Sequence, residues 1–438
     1  MEMEIKMIST EIIKPFSPTP PHLKTHQLFY SNQYAPDDYF PLILFYSSPQ
    51  SQNEFLVSTD HLLKTSLSKT LTYYYPLAGQ IMDGVSTECN DRGAVFIETQ
   101  IPNKVMSDFL QKPDGNLLKH LLPFNGDLQE ISTTYQAANL VIQVNNFGCG
   151  GKAISICFRH LIADASTAGN FVKTWAEVAR GADDIKDVIV DYTSIPRLYE
   201  SIAVVKSVYQ QQRQHVSNVS RERVIKRFVF DGEKIPALRE KIGNGPHLDR
   251  PTRFEAISAF ILGAFMAINV STEEETDELK ATKLAAVIAI NLRNKTNPPL
   301  PPQCIGNLVA PTIANLPMEK KIIDYNEIAG KLRESVRKVV DEYKKIKEHG
   351  DGGEAVVVEG FPKSRVFTIS DWSRFPYYEC DFGWGKPIWV AKVEQMDTAA
   401  GFLSTRDGEG VEAWIGLPKE EMDKFEQHHD VLAFASSN

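Results

Sequence analysis

Leu62, Leu63, Leu67 and Leu71 recur at helical spacing, and the run stops at Tyr75-Pro76, where proline withdraws a backbone donor and restricts the residue before it. A helix is therefore predicted within residues 61–79. Four runs have the length and apolar density of strands: PLILFYSS at 41–48, GAVFIET at 93–99, ANLVIQVNNF at 138–147 and KAISICF at 152–158. Directly after the last of these the period changes, because Ala168, Phe171, Val172, Trp175 and Ala179 form one helical face that Gly181 closes. Residues 182–223 then turn polar, with room for a short helix at 202–208. Beyond them come a strand at 227–230, the helical run KIPALREKI, a helix over 253–268 with Thr252 as N-cap, and a buried strand at 284–292. Ile328, Leu332, Val336, Val339, Val340 and Tyr343 mark a long amphipathic helix. Strands mixed with helices on both sides of the polar stretch predict an N-terminal domain at 1–181, a crossover linker at 182–223 and a C-terminal domain at 224–438.

Composition narrows the class of protein. The 438 residues are 42% hydrophobic and 24% charged, which excludes global disorder and leaves enough apolar material for a large core. Lys plus Arg number 47 against 56 Asp plus Glu, so the formal charge of -9 has the wrong sign for a surface that attracts phosphate backbones. No nucleic-acid partner is expected. Five scattered cysteines contain no C-x-x-C pair, and reduced structural thiols with no metal are the simplest reading. No run approaches the roughly 20 apolar residues of a membrane span, and the acidic N-terminus lacks a basic leader region. A cytoplasmic protein without a membrane partner is expected.

The most loaded site is His160-Leu161-Ile162-Ala163-Asp164. Histidine is the side chain best suited to accept and return a proton near neutrality. Most histidines are surface or satisfied core residues; His160 differs by standing at the turn after an apolar strand, where scaffolds present reactive groups. Asp164 has a simpler role, since a carboxylate at the first turn of a helix favours the helix dipole and can pair with an arginine. No G-x-S-x-G elbow supplies a nucleophile for a Ser-His-Asp triad. Gly148-Cys149-Gly150-Gly151 leads into a strand, not a helix, and reads as a hairpin turn instead of a phosphate cradle. A second cluster, Asp381-Phe382-Gly383-Trp384-Gly385, brackets a large rigid indole with two glycines. Ser370-Asp371-Trp372 lies just upstream and adds a hydroxyl and an indole donor.

These residues resemble the BAHD family of plant acyl-CoA-dependent acyltransferases, whose two signatures are matched by His160-x-x-x-Asp164 and Asp381-Phe382-Gly383-Trp384-Gly385. The similarity runs almost end to end through YYPLAG at 74–79, CNDRG at 89–93, INLR at 290–293, NPPLP at 297–301, Gly306-Asn307 and DGEGVEAW at 407–414. Within the family it is nearest the branch that uses acetyl-CoA on alkaloid alcohols, with limonoid acetyltransferases as further relatives. The resemblance implies an α/β fold of two similar-sized chloramphenicol-acetyltransferase-like domains with mixed sheets and an interdomain solvent channel. It implies a monomer in which His160 is the general base, Ser370 and Trp372 donate to the oxyanion, and Asp164 pairs with Arg293 for structure. Asp381, Gly383, Trp384 and Gly385 would support the fold. Thr252, Arg253, Arg293, Lys295, Ser370 and Asp371 would be the places to look for contacts to acetyl-CoA, a cosubstrate and not a bound cofactor. The expected reaction is acetyl transfer to a hydroxyl of a bulky apolar alkaloid or terpenoid alcohol. Another acyl-CoA donor or an amine acceptor is the nearest alternative, and a noncatalytic binder of hydrophobic ligands the alternative from another class. Two positions depart from the family pattern: Ala165 stands where glycine is common, and Gln80 replaces an arginine.

Overall fold

The computed structural model describes residues 3–28, 37–48, 54–82, 84–111, 113–135, 138–182, 185, 222–269, 283–297, 299–318, 322–345, 364–393 and 398–437. The short helix expected at 202–208, and most of the linker, lie outside them. The chain forms two compact units. One comprises Met1–Tyr199, Leu300–Leu308 and Phe375–Val393, and the other Glu200–Pro299, Val309–Arg374 and Glu394–Asn438.

The first unit carries β1 (Lys6–Ile13), β2 (Thr25–Gln27), β3 (Tyr39–Tyr46), β4 (Gln80–Ile81), β5 (Ser86–Glu88), β6 (Ala94–Ile101), β7 (Leu140–Phe147) and β8 (Lys152–Arg159). The second adds β9 (Arg223–Phe230), β10 (Lys283–Asn291), β11 (Val309–Pro317) and β12 (Ser364–Asp371). Next in the chain is β13 (Trp389–Lys392), which belongs to the first unit, and then β14 (Ala399–Ser404), β15 (Val411–Pro418) and β16 (Ser436–Ser437) of the second. The main sheet of the first unit runs β1-β6-β7-β8-β3-β13, mixed because β6 and β7 are parallel and the other pairs antiparallel. That of the second runs β11-β10-β12-β14-β15-β9-β16, with β10, β12 and β14 parallel.

The division of the chain differs from a simple cut near residues 182–223. β13 pairs antiparallel with β3, Trp389 opposite Phe45, so the Asp381–Gly385 signature folds with the first unit although it lies far along the chain. Local periodicity carries no information about which sheet a four-residue strand will join. β3 has all eight residues buried, which is why its YFPLILFY run shows no polar alternation. β11 has no strand signature because Pro311 and Pro317 interrupt it, and it occupies the edge of its sheet, where a missing backbone donor is tolerated. β1 is the opposite case, an edge strand whose mostly exposed residues hide the pattern.

Helices cover these sheets. Ala165–Ala179 packs beside Glu54–Tyr73, and the Trp175 indole N–H donates to the Leu63 carbonyl at 3.2 Å and to Ser66 Oγ at 3.0 Å. In the second unit the Arg253–Ile268 helix is buried along residues 256–266 and lies against the amphipathic Tyr325–Lys345 helix. Its Thr252 cap closes a capping box: the hydroxyl accepts from Glu255 N, and Thr252 N donates to the Glu255 carboxylate. The Gly148–Gly151 stretch is the β7–β8 hairpin turn, in which Gly150 N donates to the Phe147 carbonyl at 2.9 Å. No helix among the described residues is long and apolar enough to cross a membrane.

Candidate active site

His160 is the first residue after β8, and its backbone N–H extends the sheet pairing by donating to the Asp38 carbonyl at 2.8 Å. Arg159 beside it is held by Asp37 through two bonds, Nε at 2.6 Å and Nη2 at 2.7 Å. The imidazole is partly exposed and meets the Phe40 ring edge-on, centroids 4.9 Å apart. Strand ends on both sides of the ring therefore fix its backbone and one face. On its other flank, Asn307 Nδ2 lies 3.2 Å from His160 Nδ1 and donates to the His160 carbonyl at 3.0 Å. Asn307 is the site residue whose role sequence reasoning missed; Gly306-Asn307 entered only as two matched letters.

Asp164 is the N-cap of the Ala165–Ala179 helix, and its two oxygens split their work. Oδ1 accepts from Thr167 N at 2.8 Å, and Oδ2 accepts from Leu308 N at 2.9 Å. The carboxylate thus fastens the 306–308 segment to the helix that follows His160. Replacing Asp164 with alanine removes a cap worth about 1 kcal/mol and strands a buried Leu308 N–H at about 1–3 kcal/mol. Urea unfolding should show a loss of roughly 2–4 kcal/mol, with Asp164→Asn intermediate; a loss under about 0.5 kcal/mol, the scale of an inert surface change, would contradict this role. Ala165 fits as the first helical residue, and its carbonyl accepts from the Tyr377 hydroxyl at 2.8 Å. Gln80 accepts from Arg92 Nη1 at 2.6 Å, an arrangement that an arginine at position 80 would replace with two facing cations.

The second signature is a packed loop. Asp381 Oδ1 accepts from Gly383 N at 2.8 Å and Gly385 N at 2.9 Å. Both glycines have φ near +108°, a region that favours glycine. Phe382 is fully buried, stacks on Trp384 with centroids 5.4 Å apart and meets Trp175 edge-on at 4.9 Å. Arg180 at the end of the same helix donates to the Asp381 carbonyl. The loop therefore braces the helix that His160 and Asp164 precede. The thiol on β8 does not compete as a nucleophile, since burial pushes Cys157 up to about 12.

In the second unit, Ser370 and Asp371 end β12 and Trp372 follows. The Trp372 indole N–H donates to Ser370 Oγ at 2.8 Å, so the indole polarises the serine hydroxyl, whose own proton remains to be donated. Asp371 Oδ1 accepts from Ser373 N at 2.9 Å and shapes that turn. Arg293 and Lys295 follow β10, the parallel neighbour of β12. Arg253 Nη1 contacts the carbonyls of Gly408 at 3.2 Å and Glu409 at 3.4 Å, in the loop after β14. Arg293, Lys295, Ser370 and Asp371 thus stand at or just past the carboxyl ends of the parallel strands β10 and β12, and Arg253 reaches the loop after β14, at the ends where α/β sheets commonly bind ligands. They are not equivalent. Arg293 is 3% exposed and donates to Asn291 Oδ1, which suits a structural role better than contact with a solvated phosphate. Thr252 is engaged in its capping box. Burial alone would raise Glu255, but bonds from Arg333 and the Thr252 backbone outweigh it and hold the carboxyl below its usual range.

A partly exposed histidine at a strand end, an aspartate cap and a braced Gly-Trp-Gly loop thus lie in the first unit. The Transferase family matches residues 3–432, and the chain belongs to that family, the BAHD acyltransferases. It is similar to the limonoid 1-O-acetyltransferase of Citrus sinensis, 46% identical over 99% of both chains. Its fold is similar to that of vinorine synthase, with a TM-score of 0.77, 27% identity and 99% of both chains covered. It also shares the fold of F. sporotrichioides TRI101, solved with coenzyme A and T-2, at a TM-score of 0.69 and 16% identity over 94% of this chain and 99% of that one.

Proposed function

We propose that this protein transfers the acetyl group of acetyl-CoA to a hydroxyl of a bulky terpenoid alcohol of limonoid type, with His160 as general base. Family membership and the 46%-identical limonoid acetyltransferase support the reaction and the acceptor class. The observation that carries the mechanism is the His160 ring, held at a strand end by Phe40 and Asn307.

An alcohol attacks a thioester poorly until its proton is removed. Nε2 of His160 takes that proton as the oxygen bonds to the carbonyl carbon. The tetrahedral oxyanion that results calls for a hydrogen-bond donor, a role assigned to the Ser370 hydroxyl with Trp372 polarising it. Collapse expels the CoA thiolate, which recovers the proton from the imidazolium, so the enzyme returns to its starting state without an acyl-enzyme. Arg253 and Lys295 are assigned to the phosphates of the donor.

Purified protein assayed with acetyl-CoA, malonyl-CoA and an aromatic acyl-CoA against limonoid alcohols and amines should prefer acetyl-CoA and form O-acetyl esters, read by product mass. Preference for the aromatic donor, or N-acetyl products alone, would reject the proposal.

A further inference from the structure

Asn307 is 5% exposed, yet its carboxamide oxygen Oδ1 is buried with no hydrogen-bond partner among the described residues. Only the Nδ2 end is engaged, and it faces the proposed base twice, at Nδ1 and at the main-chain carbonyl. The backbone on both sides is fastened. Gly306 N and O both bond Thr167 Oγ1, at 3.0 and 2.9 Å, and Leu308 N bonds Asp164. Gly306 has φ +139°, which glycine permits. The segment is thus pinned to the first turn of the helix after His160, and the carboxamide is the part of Asn307 left to rotate.

A neutral imidazole carries one proton, on Nδ1 or on Nε2, and the partner of Nδ1 decides which. With Nδ2–H donating to Nδ1, the ring proton sits on Nε2, and Nε2 has no lone pair for an alcohol. For Nε2 to act as base, the proton must sit on Nδ1, which then needs an acceptor. A half-turn of the carboxamide supplies Oδ1 there; it breaks the two Nδ2 bonds, sets Oδ1 beside the His160 carbonyl oxygen and moves Nδ2 to the buried place where Oδ1 has no partner among the described residues, so the bond from Nδ1–H must offset that cost. We infer that Asn307 is the positioning residue that sets the tautomer of His160, its amide end holding the resting form and its carbonyl end the base form. After proton abstraction the same oxygen accepts from Nδ1–H of the imidazolium. A carboxamide is suited to this task because it offers a donor and an acceptor in one planar group. The inference rests on the reading of His160 as general base.

The test is the pH dependence of kcat/KM in the full-length Asn307→Asp and Asn307→Leu variants, with His160→Ala alongside. Among the described residues, the charged groups on the segments that carry or bond the His160 backbone, Asp38, Asp164 and the Asp37–Arg159 pair, are the same in every variant. The carboxylate introduced by Asn307→Asp can only accept and adds a negative charge, which favours the imidazolium. The acid limb of the profile should therefore move up by about one pH unit while KM for the donor changes little. Asn307→Leu leaves Nδ1–H without an acceptor, and kcat should fall by about 10–100-fold, in the lower part of the range for proton-transfer catalysis. If the leucine variant fails to fold, the near-isosteric aspartate variant decides. An acid limb in Asn307→Asp that superimposes on the native one overturns the inference. Should that occur while His160→Ala is inactive, the tautomer assignment alone fails; an active His160→Ala removes the general base and this inference with it.

Discussion

His160→Ala should lower kcat by about 10²–10⁴-fold, the usual worth of a positioned acid–base group, while KM for acetyl-CoA moves by less than about threefold. The split follows from the chemistry. A base acts on the alcohol proton in the transition state and contributes little to ground-state affinity for the donor, so its loss appears in turnover. Fold should survive, because the imidazole is partly exposed and the backbone bond to Asp38 remains. Measurement is by initial rates with both substrates varied. Turnover within about threefold of the native enzyme would remove the imidazole from the mechanism.

Ser370→Ala is expected to cost about 10²–10³-fold in kcat, the scale for removing one oxyanion donor. The hydroxyl is assigned the direct bond because the Trp372 N–H already donates to Ser370 Oγ at 2.8 Å. Trp372→Phe should therefore cost less, about tenfold, since it removes polarisation of the donor and not the donor itself. The order of the two effects is the informative result. A larger loss in Trp372→Phe, after correction for the folded fraction by thermal unfolding, would assign the oxyanion bond to the indole.

Both signatures were legible because they are local. Asp164 caps the helix that begins one residue later, and Asp381 binds glycines two and four residues on, so short spacing is enough to find them. The strand at 41–48 was legible for a related reason, since burial on both faces leaves a continuous apolar run, and those at 138–147 and 152–158 through shorter apolar stretches broken by buried polar residues such as Asn145 and Ser155. β11 was not, because its prolines contradict strand propensity and only an edge position reconciles them. Asn307 was not either: it meets His160 across 147 positions of sequence, and nothing in its neighbours announces a partner.

The sequence by itself determined which aspartate caps a helix and which loop needs glycine, because each depends on side-chain chemistry or on backbone within a few residues. Tertiary structure alone decided that the Asp381–Gly385 loop folds with the first unit, that Ser370 and Arg293 leave adjacent parallel strands at one end, and that a carboxamide faces the histidine. Strand order and long-range contact come from burying apolar surface over the whole unit, and no local window of sequence contains that sum.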